Sequence, residues 1–147
     1  MAQLSRLPER GALRGDQGRG QVLVELLHGL VHASADLAGA VLVSRDGLLI
    51  ATAWSSEEQA RALQGLDDSD IGALACRAFE QSGQATAMLE QGELDRMILA
   101  SSRGNVIITQ AGQDALCVVL LHPDAKLGVA TVEAGRISQQ IAGLLDS

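Results

Sequence analysis

The 147-residue sequence predicts a three-layer α/β/α sandwich around a five-stranded antiparallel sheet, and three observations carry that prediction. Five apolar runs of strand length are bounded by turn residues, several of them glycine. Three segments with helical apolar spacing lie before, between and after those runs. The first, second and fifth runs are apolar at almost every position, whereas a sheet with one face in water alternates apolar and polar residues. Both sheet faces therefore need cover, and helices are available to give it.

From Gln21 to Ser34, Val22, Leu23, Leu26, Leu27, Leu30 and Val31 recur at helical spacing and define the first helix. Two apolar runs follow, 40–43 and 48–51, joined by Ser44-Arg45-Asp46-Gly47. Asp-Gly between such runs is a strong hairpin signal, because the tightest hairpin turn needs positive φ at both central residues. Asp67, Asp68, Ser69 and Asp70 supply oxygens and negative charge where a helix start has unpaired amides, so the second helix runs from here to about Gln84. Runs 97–100, 106–108 and 116–121 form a meander around Ser102-Arg103-Gly104 and Gly112-Gln113-Asp114. Val129, Val132, Ile137, Ile141, Leu144 and Leu145 mark the last helix. The predicted order is α-β-β-α-β-β-β-α, with all strands paired through short connections.

One domain fits this length. Residues 1–20, with Arg6, Arg10, Arg14 and Arg19 among glycines, read as a flexible arginine-containing tail ahead of a domain spanning 21–147. A net charge of −7 repels phosphate backbones, and Trp54 and Phe79 are the only aromatic residues, so nucleic acid is not an expected partner. No apolar run reaches the ~18 residues of a membrane span. Cys76 and Cys117 lie far apart and among apolar neighbours, which points to reduced thiols in a cytoplasmic protein. No cofactor is expected. Gly15, Gly18 and Gly20 lack the Lys-Ser/Thr of a phosphate loop, and Arg14-Gly15-Asp16 is a chance tripeptide. His28 and His32, with Glu25 one turn earlier, have metal-ligand spacing but lack the fourth ligand of a structural zinc site. His122 has no identifiable nucleophile beside it, so no catalytic set emerges.

The hairpin Gly39-Ala40-Val41-Leu42-Val43-Ser44-Arg45-Asp46-Gly47-Leu48-Leu49-Ile50-Ala51, the stretch from Leu99 to Leu121, and Leu127-Gly128 opening the last helix together resemble Roadblock/dynein light-chain domains. The resemblance covers residues 21–145. It implies a profilin-like fold, dimerised through the second helix and third strand so that two sheets join at an edge. It also implies a non-enzymatic role, since members serve as dynein light chains, as scaffolds for Ras-like GTPases, and in bacteria as regulators of small GTPases in gliding motility.

The second helix carries two stripes, one of Ile71, Leu74, Ala75, Ala78 and Ser82, the other of Gly72, Cys76, Phe79 and Gly83. The first suits the sheet. The second, rich in small residues, suits a partner helix, so Gly72, Cys76, Phe79 and Gly83 are the expected dimer contacts. Under the resemblance, Leu94, Met97 and Leu99 of the third strand join them. The expected function is a homodimeric regulator or scaffold binding a small Ras-like GTPase and able to modulate its hydrolysis. The alternatives are a GTPase-independent adaptor of a signalling or motor complex, docking through the tail, and a small-molecule sensor using a cavity beside the sheet.

Overall fold

The computed structural model of the chain describes residues 10–61 and 66–146, with side chains placed over 18–60 and 66–146. Among the described residues the elements run α1 (Arg10–His32), β1 (Leu37–Ser44), β2 (Leu49–Trp54), α2 (Glu57–Arg61), α3 (Asp68–Met88), β3 (Arg96–Ser101), β4 (Gly104–Gln110), β5 (Ala115–Leu121) and α4 (Leu127–Leu145). The predicted order holds, with the single-turn α2 added between β2 and α3. The sheet is antiparallel throughout, in the order β2-β1-β5-β4-β3.

The expected hairpins form, but the strands do not all pair through short connections. β2 and β3 are opposite edges, and the centre is the β1–β5 ladder, which pairs Val41 with Val118 and Leu42 with Cys117. The apolar reading of β1 and β5 follows from this position, since both are buried along almost their whole length. β2 departs from it: Leu49 and Ile50 are 39% and 38% exposed, because an apolar strand at an edge has a neighbour on one side only. The first hairpin also turns differently. Of its central residues only Gly47 has positive φ (89°), and the Gly47 N–H donates to the Ser44 carbonyl at 2.9 Å while the Ser44 N–H donates to the Leu48 carbonyl at 2.8 Å. This is a three-residue loop closed by a left-handed glycine.

Alternation along β1 and β5 divides the core in two. Leu42, Cys117 and Val119 meet Leu23, Leu27, Leu30 and Val31 of α1 and Ala130, Ala134, Ile137 and Ile141 of α4. Val41, Val43, Ile108, Leu116 and Val118 meet Ile71, Ala75 and Phe79 of α3. Each large apolar side chain so buried contributes about 1.5–3 kcal/mol.

Two helices differ from their predicted outlines. α1 begins at Arg10 rather than Gln21; Ala12, Leu13, Gln17 and the arginines are good helix formers, and the intervening glycines only lower the propensity. Residues 1–9 of the expected tail lie outside the described residues. On α4, Val129 and Val132 point outward, 60% and 69% exposed, because the small Ala130 and Ala134 let the helix sit close to the sheet on its other side. Its start is held by Asp36, whose carboxylate accepts the Lys126 N–H at 3.1 Å and whose carbonyl accepts that of His122 at 2.9 Å.

Candidate functional site

α3 organises a face of the molecule where apolar side chains, Leu74, Leu89, Ile98 and Leu99 among them, stay exposed. Its first turn is fixed by a reciprocal cap: the Asp67 carboxylate accepts the Asp70 N–H at 2.9 Å, and the Asp70 carboxylate accepts the Asp67 N–H at 3.0 Å. The Trp54 indole N–H donates to Asp68 at 3.4 Å and ties the turn to the edge strand β2. Gly72 then brings the helix backbone onto β1; a Cβ there would sit 2.8 Å from a Val43 methyl.

This placement changes which residues of α3 face the sheet, since Gly72 and Phe79 are buried and Leu74 is exposed. Gly72 is buried against Val43, and Phe79, 3% exposed, lies in the core beneath α3 with Val41, Ile108 and Val118. Both therefore pack on their own sheet. Cys76 is half-buried, and its thiol donates to the Ser44 carbonyl at 3.2 Å. Gly83 is half-buried beside Leu94. Leu94 and Met97 pack partly against the same core, whereas Leu99 is 41% exposed.

The sheet-facing stripe is Ile71-Gly72-Ala75-Phe79, at spacings of one, three and four, as one helical face requires. Leu74, Ala78, Ala85 and Leu89 follow their own spacing of four, seven and four on the flank opposite Cys76. Leu74 is 46% and Leu89 69% exposed. On the same side of the sheet, the alternation that buries Ile108 and Val118 continues to Val106, Leu120 and, across from Val106, Leu99. These lie past the part that α3 covers. Trp54 closes the far corner by lying across Gly39, where a Cβ would collide with the indole ring.

β3 borders this face. It pairs with β4 alone, and every residue except Met97 is exposed. Its sequence, Arg-Met-Ile-Leu-Ala-Ser, has one charge and no proline, the usual guards of an open edge. What the arrangement offers chemically is area and an edge: apolar surface to bury and backbone groups to pair.

Proton or metal chemistry finds little support among the described residues. Burial pushes the Cys117 thiol up to about 12, against the opposing effect of the Ser138 hydroxyl, and Cys76 is also raised by burial. Neither is an activated nucleophile. The rings of His28 and His32 stack with centroids 4.0 Å apart, and His32 Nδ1 lies 3.0 Å from the His28 carbonyl. No third ligand joins them among the described residues.

The Roadblock/LC7 domain model matches residues 23–121, well over half of the chain. The chain belongs to the Roadblock/LC7 family. Solved structures agree on the fold. A Roadblock/LC7 domain from Streptomyces avermitilis is 19% identical, with 84% of this chain and 98% of that one covered and a TM-score of 0.72. The gliding protein MglB from Thermus thermophilus is 18% identical, covering 86% and 90%, with a TM-score of 0.72. Profilin IA from Acanthamoeba castellanii is 14% identical, covering 82% and 96%, with a TM-score of 0.54. The fold is therefore the profilin-like sandwich that the strand pattern and family resemblance implied. No curated protein sequence matches the chain. No helix among the described residues is long and apolar enough to cross a membrane.

Proposed function

We propose that this Roadblock/LC7 protein is a non-enzymatic, cytoplasmic homodimer that binds a small Ras-like GTPase as its regulator or scaffold. The observation that carries the reading is the apolar flank of α3, Leu74, Ala78, Ala85 and Leu89, beside the unguarded β3 edge. A second copy related by a two-fold axis satisfies both features at once, since the helix flank meets its twin and β3 extends the sheet. Met97 and Leu99 keep the contact role expected for them, and Leu74, Ala78, Ala85 and Leu89 take the place of Gly72 and Phe79.

Membership of the Roadblock/LC7 family supports the regulatory assignment, and the sequence resemblance to small-GTPase regulators supplies the partner class. Such a protein works by favouring one conformation of its partner and needs no catalytic set of its own. The test is a pull-down from a lysate of the source cell with and without a non-hydrolysable GTP analogue, read by mass spectrometry. A small GTPase enriched with the analogue supports the proposal. Equal recovery of other proteins in both conditions, without a GTPase, moves the assignment to the adaptor.

A further inference from the structure

A cavity of about 290 Å³ opens at the end of the sheet where β1 begins, β2 and β5 finish, and β3 turns into β4. Trp54, Val106 and Leu120 give it an apolar wall, and Arg103, Asn105 and His122 are among its polar members.

The wall is fixed in advance. The Trp54 indole N–H donates to the Asp68 carboxylate at 3.4 Å, and the ring lies against Gly39, where an added Cβ would come within 2.3 Å of it. A ring so held loses little freedom when a ligand packs on it. With its N–H spent on Asp68, the indole offers a ligand apolar surface. The polar side is placed by the backbone. Ser101 and Gly104 pair across β3 and β4, which leaves Ser102 and Arg103 as a two-residue turn. Gly104 lets that turn lie against the end of β5, since its missing Cβ would fall 2.6 Å from the Leu121 carbonyl oxygen. Asn105 pairs with Leu121, the neighbour of His122.

The charge of the cavity runs against that of the chain. There are 18 acidic residues to 11 basic in the sequence, yet among the described residues no carboxylate lines the cavity and Arg103 is its one charged member. No ion pair or side-chain hydrogen bond to another described residue engages Arg103, Asn105 or His122. A guanidinium and two further hydrogen-bond donors thus stand beside an apolar wall. The fork of an arginine matches a carboxylate or a phosphate. Two features favour the carboxylate: one cation balances a single negative charge, and a phosphate would leave the wall of Trp54, Val106 and Leu120 uncovered. The volume lies at the lower end of the roughly 300–1,000 Å³ usual for ligand pockets, so the ligand is small.

We propose that this cavity binds a small monocarboxylate with an apolar body. The carboxylate meets Arg103, with Asn105 and His122 donating to it, and the body packs on Trp54, Val106 and Leu120. The site stands whether or not a GTPase binds.

Trp54 is the sole tryptophan, so the test is a titration of its fluorescence in the full chain with phenylacetate, the uncharged analogue phenylacetamide, and inorganic phosphate. Phenylacetate should give a saturable change, and the other two should each bind weaker by about tenfold or more. Arg103→Gln should weaken phenylacetate by a similar factor and leave phenylacetamide unchanged. Arg103 is exposed in a turn, and thermal melting establishes that the variant keeps its fold. In proton NMR spectra the ring signals of His122 should move on binding, while those of His28 and His32 on α1 stay in place. The absence of a response to phenylacetate, equal binding of phenylacetamide, indifference to Arg103→Gln, or a shift at His28 or His32 instead of His122 would each overturn the proposal. Phosphate binding as strongly as phenylacetate would overturn the role of the apolar wall.

Discussion

Replacing Phe79 by Ala separates the two possible uses of α3. The ring is 3% exposed and packed with Val41, Ile108, Leu116 and Val118, so truncation opens a cavity in the smaller of the two cores. Phe→Ala at such a site costs about 3–5 kcal/mol. Against a total stability on the order of 5–15 kcal/mol, that is a large fraction. With a urea slope of about 1–3 kcal/mol per molar, the midpoint should fall by roughly 1–5 M. The matched control is Leu74→Asp/Leu89→Asp. These side chains are 46% and 69% exposed, so the change should cost the isolated fold about 0.5 kcal/mol or little more at each site. It should instead abolish the dimer. The assay is urea unfolding at several protein concentrations, with light scattering on the native samples. A midpoint that rises with concentration in the wild type and in Phe79→Ala, but not in the double aspartate variant, is the expected pattern. A Phe79→Ala protein that becomes monomeric with an unchanged midpoint would refute the assignment of that ring to the intrachain core.

Four further outcomes follow from the geometry. Gly104 has φ 156° and its missing Cβ would fall 2.6 Å from the Leu121 carbonyl oxygen, so Gly104→Ala should cost at least about 1–3 kcal/mol, read by thermal melting. Asp67→Ala removes the acceptor for the Asp70 N–H and should cost about 0.5–2 kcal/mol by denaturant titration. Glu90→Gly relieves the left-handed strain and should raise stability by about 1 kcal/mol in the same titration. Cys117 ties stability to alkaline pH. Its folded value, about 12, lies above the ordinary 9.0, so both states keep the proton below pH 9 and the unfolded state loses it first above. Stability should therefore fall between pH 9 and 12 by up to about 1.4 kcal/mol per unit from this thiol, and Cys117→Ala should flatten that slope in pH-dependent unfolding.

The parts of the fold legible in the sequence were those governed by local rules. Asp46-Gly47 announced the first hairpin, the aspartates from Asp67 announced the start of α3, and the apolar density of β1 and β5 announced a sheet covered on both faces. What stayed hidden depends on contacts between distant segments. β2 is as apolar as β1, and only the strand order makes it an edge. The carboxylate at the start of α4 comes from Asp36, across the fold. Five-residue α2 carries no periodicity to detect. Within α3 the error was one of phase. Ile71, Gly72, Ala75 and Phe79 form the buried stripe because Gly72 can touch Val43, a contact that nothing near Gly72 in sequence signals. The spacing of Leu74, Ala78, Ala85 and Leu89 was readable, but extending the helix to Met88 was needed to see it.

The most direct test of the central claim combines the dimer face with the partner. Tagged wild-type protein and the Leu74→Asp/Leu89→Asp variant are used to capture proteins from the source lysate, with and without a non-hydrolysable GTP analogue. A small GTPase should be enriched by the wild type only when the analogue is present, and lost with the monomeric variant. A GTPase recovered equally by both proteins would contradict the dimer as the binding platform, and the absence of any GTPase from the wild-type capture would contradict the regulatory role.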